Sequence, residues 1–316
     1  MRSKIGKLKV VITLTIVTLL AIGLLVSSSL AIGIACEVGS GGLPMSIDDL
    51  SAVPQSVAED ATKLATELFG DCQEKCDDFV SQLLAMYAKA EDKDFVVIFN
   101  PGGWGASLLE TSLGWRSIFD GIESELTSSG YTPLLLNYKR SVKTLRGCLD
   151  EFVGRFTGYP LKAKELASRV EFLTKHNPRL KVILTGESTG TIICDNVMNI
   201  LKNNPQVYSI QTGPPFWHEN MVLDRTLLLT SNGIIPDSFS QGNFWGIIWG
   251  HIKHWCRLAR PVDYFGTMPH YVRAPGYDYW WQYPGVYPQI TNFLEQNFGI
   301  KWLSPQLNGG PECQTK

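Results

Sequence analysis

Apolar and polar positions divide the chain into three textures. The first is an apolar run from Val10 to Cys36 with no charged residue in 27 positions. The second has a helical period. Ala61, Leu64, Ala65, Leu68, Cys72, Cys76, Phe79, Val80, Leu83, Leu84 and Tyr87 recur at spacings of three and four. That spacing predicts an amphipathic segment over 58–92, one helix or two broken near Gly70, packed on the domain that follows. The third begins at residue 95, where short β-rich runs alternate with helical stretches. The runs are Phe95–Phe99, Pro133–Tyr138, Lys181–Thr185, Val207–Gln211, Thr226–Thr230 and Tyr271–Ala274. Helical patterns fall at about 115–129, 161–176, 190–203 and 286–298. Alternation of this kind predicts the α/β class, a mostly parallel sheet flanked by helices. A site in such a sheet lies beyond the carboxyl ends of its strands, so the residues just after each run carry the information.

Arg2, Lys4, Lys7 and Lys9 precede the apolar run. The positive-inside rule keeps that end cytoplasmic and exports the remainder. Three readings share this topology. A retained transmembrane helix fits the length, since about 20 residues cross a bilayer. A cleaved signal peptide usually has an apolar core of about 7–15 residues. Gly33-Ile34-Ala35-Cys36 loosely resembles a lipobox, with glycine where a larger aliphatic residue is usual. Residues 1–36 are therefore expected to be an anchor or signal segment. Residues 37–57, rich in Gly, Ser and Pro, read as a flexible stalk. A domain over 93–303 and a tail over 304–316 complete the chain.

An exported domain meets an oxidising compartment. Cys72, Cys76, Cys148, Cys194, Cys256 and Cys313 are enough for three bridges, with the pairing open. Cys72 and Cys76 share one helical face, where a mutual bridge would strain the helix, so other partners are expected. Cys194 sits in an apolar stretch and reads as a buried free thiol. Charge narrows the partners. Lys+Arg is 28 and Asp+Glu is 30, for a net −2, which argues against a nucleic-acid binder. With 44% hydrophobic and 18% charged residues the chain is not disordered. It has neither a phosphate-binding glycine loop nor a Cys-x-x-Cys pair, so no metal and no organic cofactor is implied.

The chemistry is concentrated after the Lys181 run. Gly186-Glu187-Ser188-Thr189-Gly190 stands between a predicted strand and a predicted helix. Glycines on both sides of a serine let the chain bend tightly and lift the hydroxyl out at the edge of the sheet. The helix N-terminus below favours a developing negative charge. With this motif in this context, the chain resembles the α/β-hydrolase superfamily of serine esterases and lipases over about residues 90–300. Asn100-Pro101-Gly102-Gly103-Trp104-Gly105, directly after the first run, is similar to that family's glycine-rich oxyanion loop. The resemblance implies Ser188 as nucleophile. It also implies an oxyanion hole made by the N–H groups of Thr189 and of Gly103 or Trp104.

The family order of serine, acid and histidine maps the acid to Asp237, in the loop after the Thr226 run, ahead of Asp224 and Asp263. The histidine position, after the last strand, holds tyrosine: Gly276-Tyr277-Asp278-Tyr279. A tyrosine near its ordinary pKa of about 10 is a poor proton acceptor. Of five histidines, His176 and His270 sit at the wrong edge. His218 follows the Val207 run at the correct edge, and His251 and His254 lie in an insertion over 239–268. One of these three is the candidate base.

Trp245, Ile248, Trp249, Ile252, Trp255 and Cys256 share one face of that insertion. It reads as a lid over the pocket, as a lipid-contacting helix, or as an extra helix packed on the domain. Tyr277, Tyr279, Trp280, Trp281, Tyr283 and Tyr287 are expected to crowd the same mouth, giving an apolar pocket. The sequence thus predicts a membrane-anchored extracytoplasmic serine hydrolase acting on a small carboxylic ester or related acyl substrate, lipids included. The alternative is a catalytically impaired hydrolase-fold protein that binds an apolar ligand or a protein partner.

Overall fold

Strand β1 (Phe95–Asn100) is Phe-Val-Val-Ile-Phe-Asn, and all six residues are buried. A strand covered on both faces needs helices on both sides, and the chain supplies them. In this computed structural model the described residues are 53–300. Within that range 104, 106–108, 110–111, 142–144 and 256–274 are not described, nor are the side chains at 145–149, 251 and 253–255.

The elements run α1 (Gln55–Phe69), α2 (Gln73–Ala90), β1, α3 (Leu113–Ser128), β2 (Pro133–Asn137), α4 (Leu145–Thr157) and α5 (Pro160–His176). They continue with β3 (Lys181–Glu187), α6 (Thr189–Ile200), β4 (Val207–Thr212), β5 (Thr226–Leu229), α7 (Phe244–Trp255) and α8 (Tyr287–Phe298). The five strands are ordered β2-β1-β3-β4-β5, and every pairing is parallel. One apolar cluster joins α1, α2, α5 and α6 to one face of the sheet, through Phe79, Val96, Leu166 and Ile193 among others. A second joins α3 and α8 to the other face, through Phe99, Trp115, Ile183 and Ile290.

The chain leaves β1 outward to β2 and returns to β3 on the far side of β1, so the strand order reverses between β1 and β3. Loops leaving the carboxyl ends of these two strands diverge and open a crevice there. Asn100 pairs with Gly186 at that edge, which sets the loop 100–105 beside the turn 186–190.

The periodic segment is two helices. Gly70, at φ +59°, ends α1, and α2 restarts at Gln73. Helix α1 begins at Gln55, so the last three residues of the expected stalk, 55–57, are helical; the stalk to residue 52, with segment 1–36, lies outside the described residues. Among the described residues no helix is long and apolar enough to cross a membrane. The Tyr271–Ala274 run and the tail 304–316 also lie outside them. Helix α4 matches none of the helical patterns in the sequence. Cys72 is disulfide-bonded, while Cys76 and Cys194 are buried free thiols.

Candidate functional site

Ser188 sits between β3 and α6 at φ +52°, ψ −122°, a backbone region that L residues rarely enter. Such a conformation costs on the order of 1–3 kcal/mol and persists only where its surroundings over-determine it. Here they do. The Ser188 N–H donates to the Thr212 carbonyl at 3.0 Å, and the Ser188 carbonyl accepts from the Thr191 N–H at 2.9 Å and the Thr191 hydroxyl at 2.7 Å. Both flanking glycines are required by close approach. A Cβ on Gly186 would stand 2.9 Å from Cys194 Sγ, and one on Gly190 would overlap the Asn100 carbonyl. The bend therefore locks α6 against the end of β1.

The glycine-rich loop lies against this bend. A Cβ on Gly102 would stand 3.1 Å from Ser188 Cβ. Gly103 takes φ +58°, and its carbonyl accepts from the Thr189 hydroxyl at 3.0 Å and from Arg155 Nη2 at 2.9 Å. Thr189 opens α6, so its N–H has no intrahelical acceptor. Trp104 lies outside the described residues.

Beneath the loop runs a network that the sequence did not reveal. Arg140, fully buried, donates to the Pro101 carbonyl and, at 3.1 Å, to the Thr189 hydroxyl, and it pairs with Glu151 at 3.4 Å. Glu151 also accepts from Lys162 at 2.8 Å and from the Tyr159 hydroxyl at 3.1 Å. One guanidinium thus ties the loop after β1, the start of α6 and helix α4 together. The partners lie 11 to 49 residues from Arg140, and no local pattern reports such pairings.

Tyr277 meets the serine, its phenol lying close enough to the Ser188 hydroxyl to feel it electrostatically. Burial, then the charge of nearby Glu187, holds that phenol well above the ordinary tyrosine range, with the Ser188 hydroxyl working the other way. The group beside Ser188 is therefore a neutral phenol at neutral pH. Glu187 is itself pushed up by burial, although it accepts from the Ser112 hydroxyl at 3.2 Å and from the Gly102 N–H at 3.5 Å.

Asp237 is fully buried in the loop after β5. Its Oδ1 accepts from the N–H groups of Phe239 and Ser240 at 2.9 and 3.1 Å, and its Oδ2 accepts from the hydroxyls of Ser240 and Tyr279, both at 2.8 Å. Burial raises its pKa and these donors oppose the rise. A Cβ on Gly213 would meet Tyr277, Asp237 and Tyr279 at 3.0 to 3.3 Å, so these three side chains converge on one point. The aspartate is near Tyr277 but holds Tyr279.

His218 stands apart from Ser188. His218 is at the expected edge, but its Nε2 pairs with Asp195 Oδ2 at 2.8 Å, and Asp195 also accepts from Gln211 at 2.8 Å. His251 and His254 lie on α7, where their side chains are outside the described residues. Among the described residues no group of His, Cys, Asp and Glu is arranged to hold a metal ion.

Of the six aromatics expected at the mouth, Tyr277 and Tyr279 reach the site. Trp281 instead covers Gly121 and stacks edge-on with Tyr287 at 5.2 Å, and Tyr283 joins the core and donates to Asp278 at 3.0 Å. Ser188 is 5% exposed and Tyr277 7%, so the hydroxyl lies under an aromatic cover. From Tyr277 a chain of ring contacts runs outward through Phe239 (4.9 Å), Trp217 (5.5 Å) and Phe156 (6.2 Å) to the surface. A cleft of about 500 Å³ between α1 and α2, lined by Thr62, Thr66, Asp71 and Gln73 among others, includes none of these residues.

Comparison with solved structures finds similarity to Trichoderma reesei cutinase in complex with a C11Y4 phosphonate inhibitor. The identity is 16%, over 56% of this chain and 76% of that one, with a TM-score of 0.33. A cutinase-like protein from Cryptococcus sp. is similar at 18% identity, over 38% of this chain and 53% of that one, with a TM-score of 0.28. No family model and no curated protein matches the chain.

Proposed function

We propose that this chain is a serine hydrolase of α/β-hydrolase type, exported and tethered to a membrane by its N-terminal apolar run, acting on carboxylic esters or related acyl compounds. The observation that carries this reading is the strained turn at Ser188, set at the strand-order reversal and packed against a glycine-rich loop. Strain of this kind accumulates where function demands it. Ser188 attacks the acyl carbon and gives up its proton to water. The ester C–O bond breaks to release the alcohol and leave an acyl-serine, and water then hydrolyses that intermediate to the acid. The tetrahedral oxyanion is held by the N–H groups of Thr189 and Gly103, and each preorganised donor is worth roughly 3–4 kcal/mol. Arg140 keeps the two donor segments in register.

Proton transfer is the slow part of the cycle. Tyr277 occupies the base position, and a phenol held above its ordinary pKa does not take the serine proton readily. The reading therefore favours substrates with good leaving groups and a modest rate. The same observation favours a second reading, in which the fold binds an apolar ligand without turning it over. Hydrolysis of p-nitrophenyl butyrate by the full chain separates the two. Slow turnover that disappears in Ser188→Ala supports the hydrolase, and turnover equal in both proteins supports the binder.

A further inference from the structure

The glycine-rich loop is held through its carbonyls. That of Pro101 accepts from Arg140, that of Gly102 from the Gly105 N–H at 3.1 Å, and that of Gly105 from the Arg140 N–H at 2.9 Å. The Gly102 N–H donates to Glu187 at 3.5 Å. Among the described residues the Gly103 N–H has no acceptor. A trans peptide sets its N–H opposite its carbonyl. With the Gly102 carbonyl turned to Gly105, the Gly103 N–H therefore points out of the turn.

The other side of Gly103 depends on two side chains. Glycine has the widest backbone freedom of any residue, so partners must set the peptide that follows it. The Gly103 carbonyl accepts from the Thr189 hydroxyl, on α6, at 3.0 Å and from Arg155 Nη2, on α4, at 2.9 Å. Local packing in α4 places that guanidinium. A Cβ on Gly154 would overlap the Tyr159 ring, whose hydroxyl donates to Glu151 at 3.1 Å. The ring ties the last turn of α4 to its middle, and Arg155, next to Gly154, is fixed with it. The Arg155 charge is felt at the Tyr277 phenol, where it opposes the rise that burial causes, so the guanidinium lies within electrostatic reach of the Ser188 edge.

We propose that Arg155 is a positioning residue for the oxyanion hole. It pins the Gly103 carbonyl, stops the loop from swinging at its freest residue, and so holds the Gly103 N–H where charge develops on the acyl oxygen. Its own positive charge favours that oxyanion. The proposal rests on the serine-hydrolase reading above.

The test is steady-state hydrolysis of p-nitrophenyl butyrate by the full chain, Ser188→Ala, Arg155→Ala and Arg155→Lys, with a thermal melt of each. Loss of one oxyanion donor costs about 10²–10³ in kcat, and a donor left in place but loosened should cost less, about 10–50-fold. Arg155→Ala is therefore expected to lower kcat by that factor with KM unchanged. Arg155→Lys, which keeps a charged donor, should recover part of the loss. Millimolar guanidinium chloride should raise the rate of Arg155→Ala and leave that of Ser188→Ala where it is. Folded Arg155→Ala with the kcat of the parent would overturn the proposal. So would a loss that follows the folded fraction in the melt and does not respond to guanidinium. A parent no faster than Ser188→Ala would overturn the hydrolase reading itself.

Discussion

Tyr277→His is expected to accelerate ester hydrolysis by about two orders of magnitude. The substitution puts an imidazole where a buried phenol now stands beside Ser188. A positioned general base contributes roughly 10²–10⁴ in rate. The lower figure applies because Asp237 does not await a histidine: its Oδ2 is taken by the hydroxyls of Tyr279 and Ser240. The new ring would lack the third group that fixes its tautomer and orientation. A hundredfold gain is about 2.7 kcal/mol at 1.36 kcal/mol per decade. Imidazole takes the serine proton only when neutral, so the variant's rate should rise with pH through about 6.5 and then level. The parent protein should show no inflection there. The assay is p-nitrophenyl butyrate hydrolysis across pH 5–9, with Tyr277→Phe as the control that keeps the ring and removes the hydroxyl. A histidine variant no faster than the phenylalanine variant, with both folded, would refute Tyr277 as the occupant of the base position.

Gly190→Ala should lose about 1–3 kcal/mol of stability in a thermal melt, because the new methyl overlaps the Asn100 backbone, which has no room to yield. Arg140→Met should cost about 3 kcal/mol in denaturant unfolding, the low end for breaking a buried pair, since Lys162 and Tyr159 still hold Glu151. Burial raises the Glu187 carboxyl in the folded state, so its contribution to stability is full below the ordinary glutamate value of 4.5 and is lost as pH rises through the higher folded value. Glu187→Gln should therefore flatten the fall in melting temperature above pH 4.5 relative to the parent. Burial holds the Cys194 thiol far above the ordinary range, so mass spectrometry should find it alkylated by iodoacetamide only after unfolding.

Features carried by local pattern could be read from the chain before the structure. The central strand β1 is a continuous apolar run from Phe95 to Phe99, as a strand buried on both faces should be, whereas β4, equally buried, carries Ser209, Gln211 and Thr212. The bend at Gly186-Glu187-Ser188-Thr189-Gly190 is legible because each glycine fills a place where a Cβ does not fit. Helix α4 escaped because Phe152, Val153 and Phe156 point to solvent rather than core, and two glycines interrupt its sequence. What could not be read is long-range pairing. His218 stands at the right edge, yet Asp195 captures its ring. Asp237 lies in the expected loop, yet a tyrosine two residues beyond the expected base takes its oxygen. These outcomes depend on which polar groups the folded chain brings within 3 Å, and spacing along the sequence carries no record of that.

The proposed activity depends most on the chemistry of one hydroxyl. Incubating the full chain with a fluorophosphonate and mapping the adduct by peptide mass spectrometry reads it directly. The expected result is slow, time-dependent modification at Ser188 alone, lost on prior heat unfolding and faster in Tyr277→His. Unmodified Ser188 after prolonged incubation of both folded proteins would contradict it.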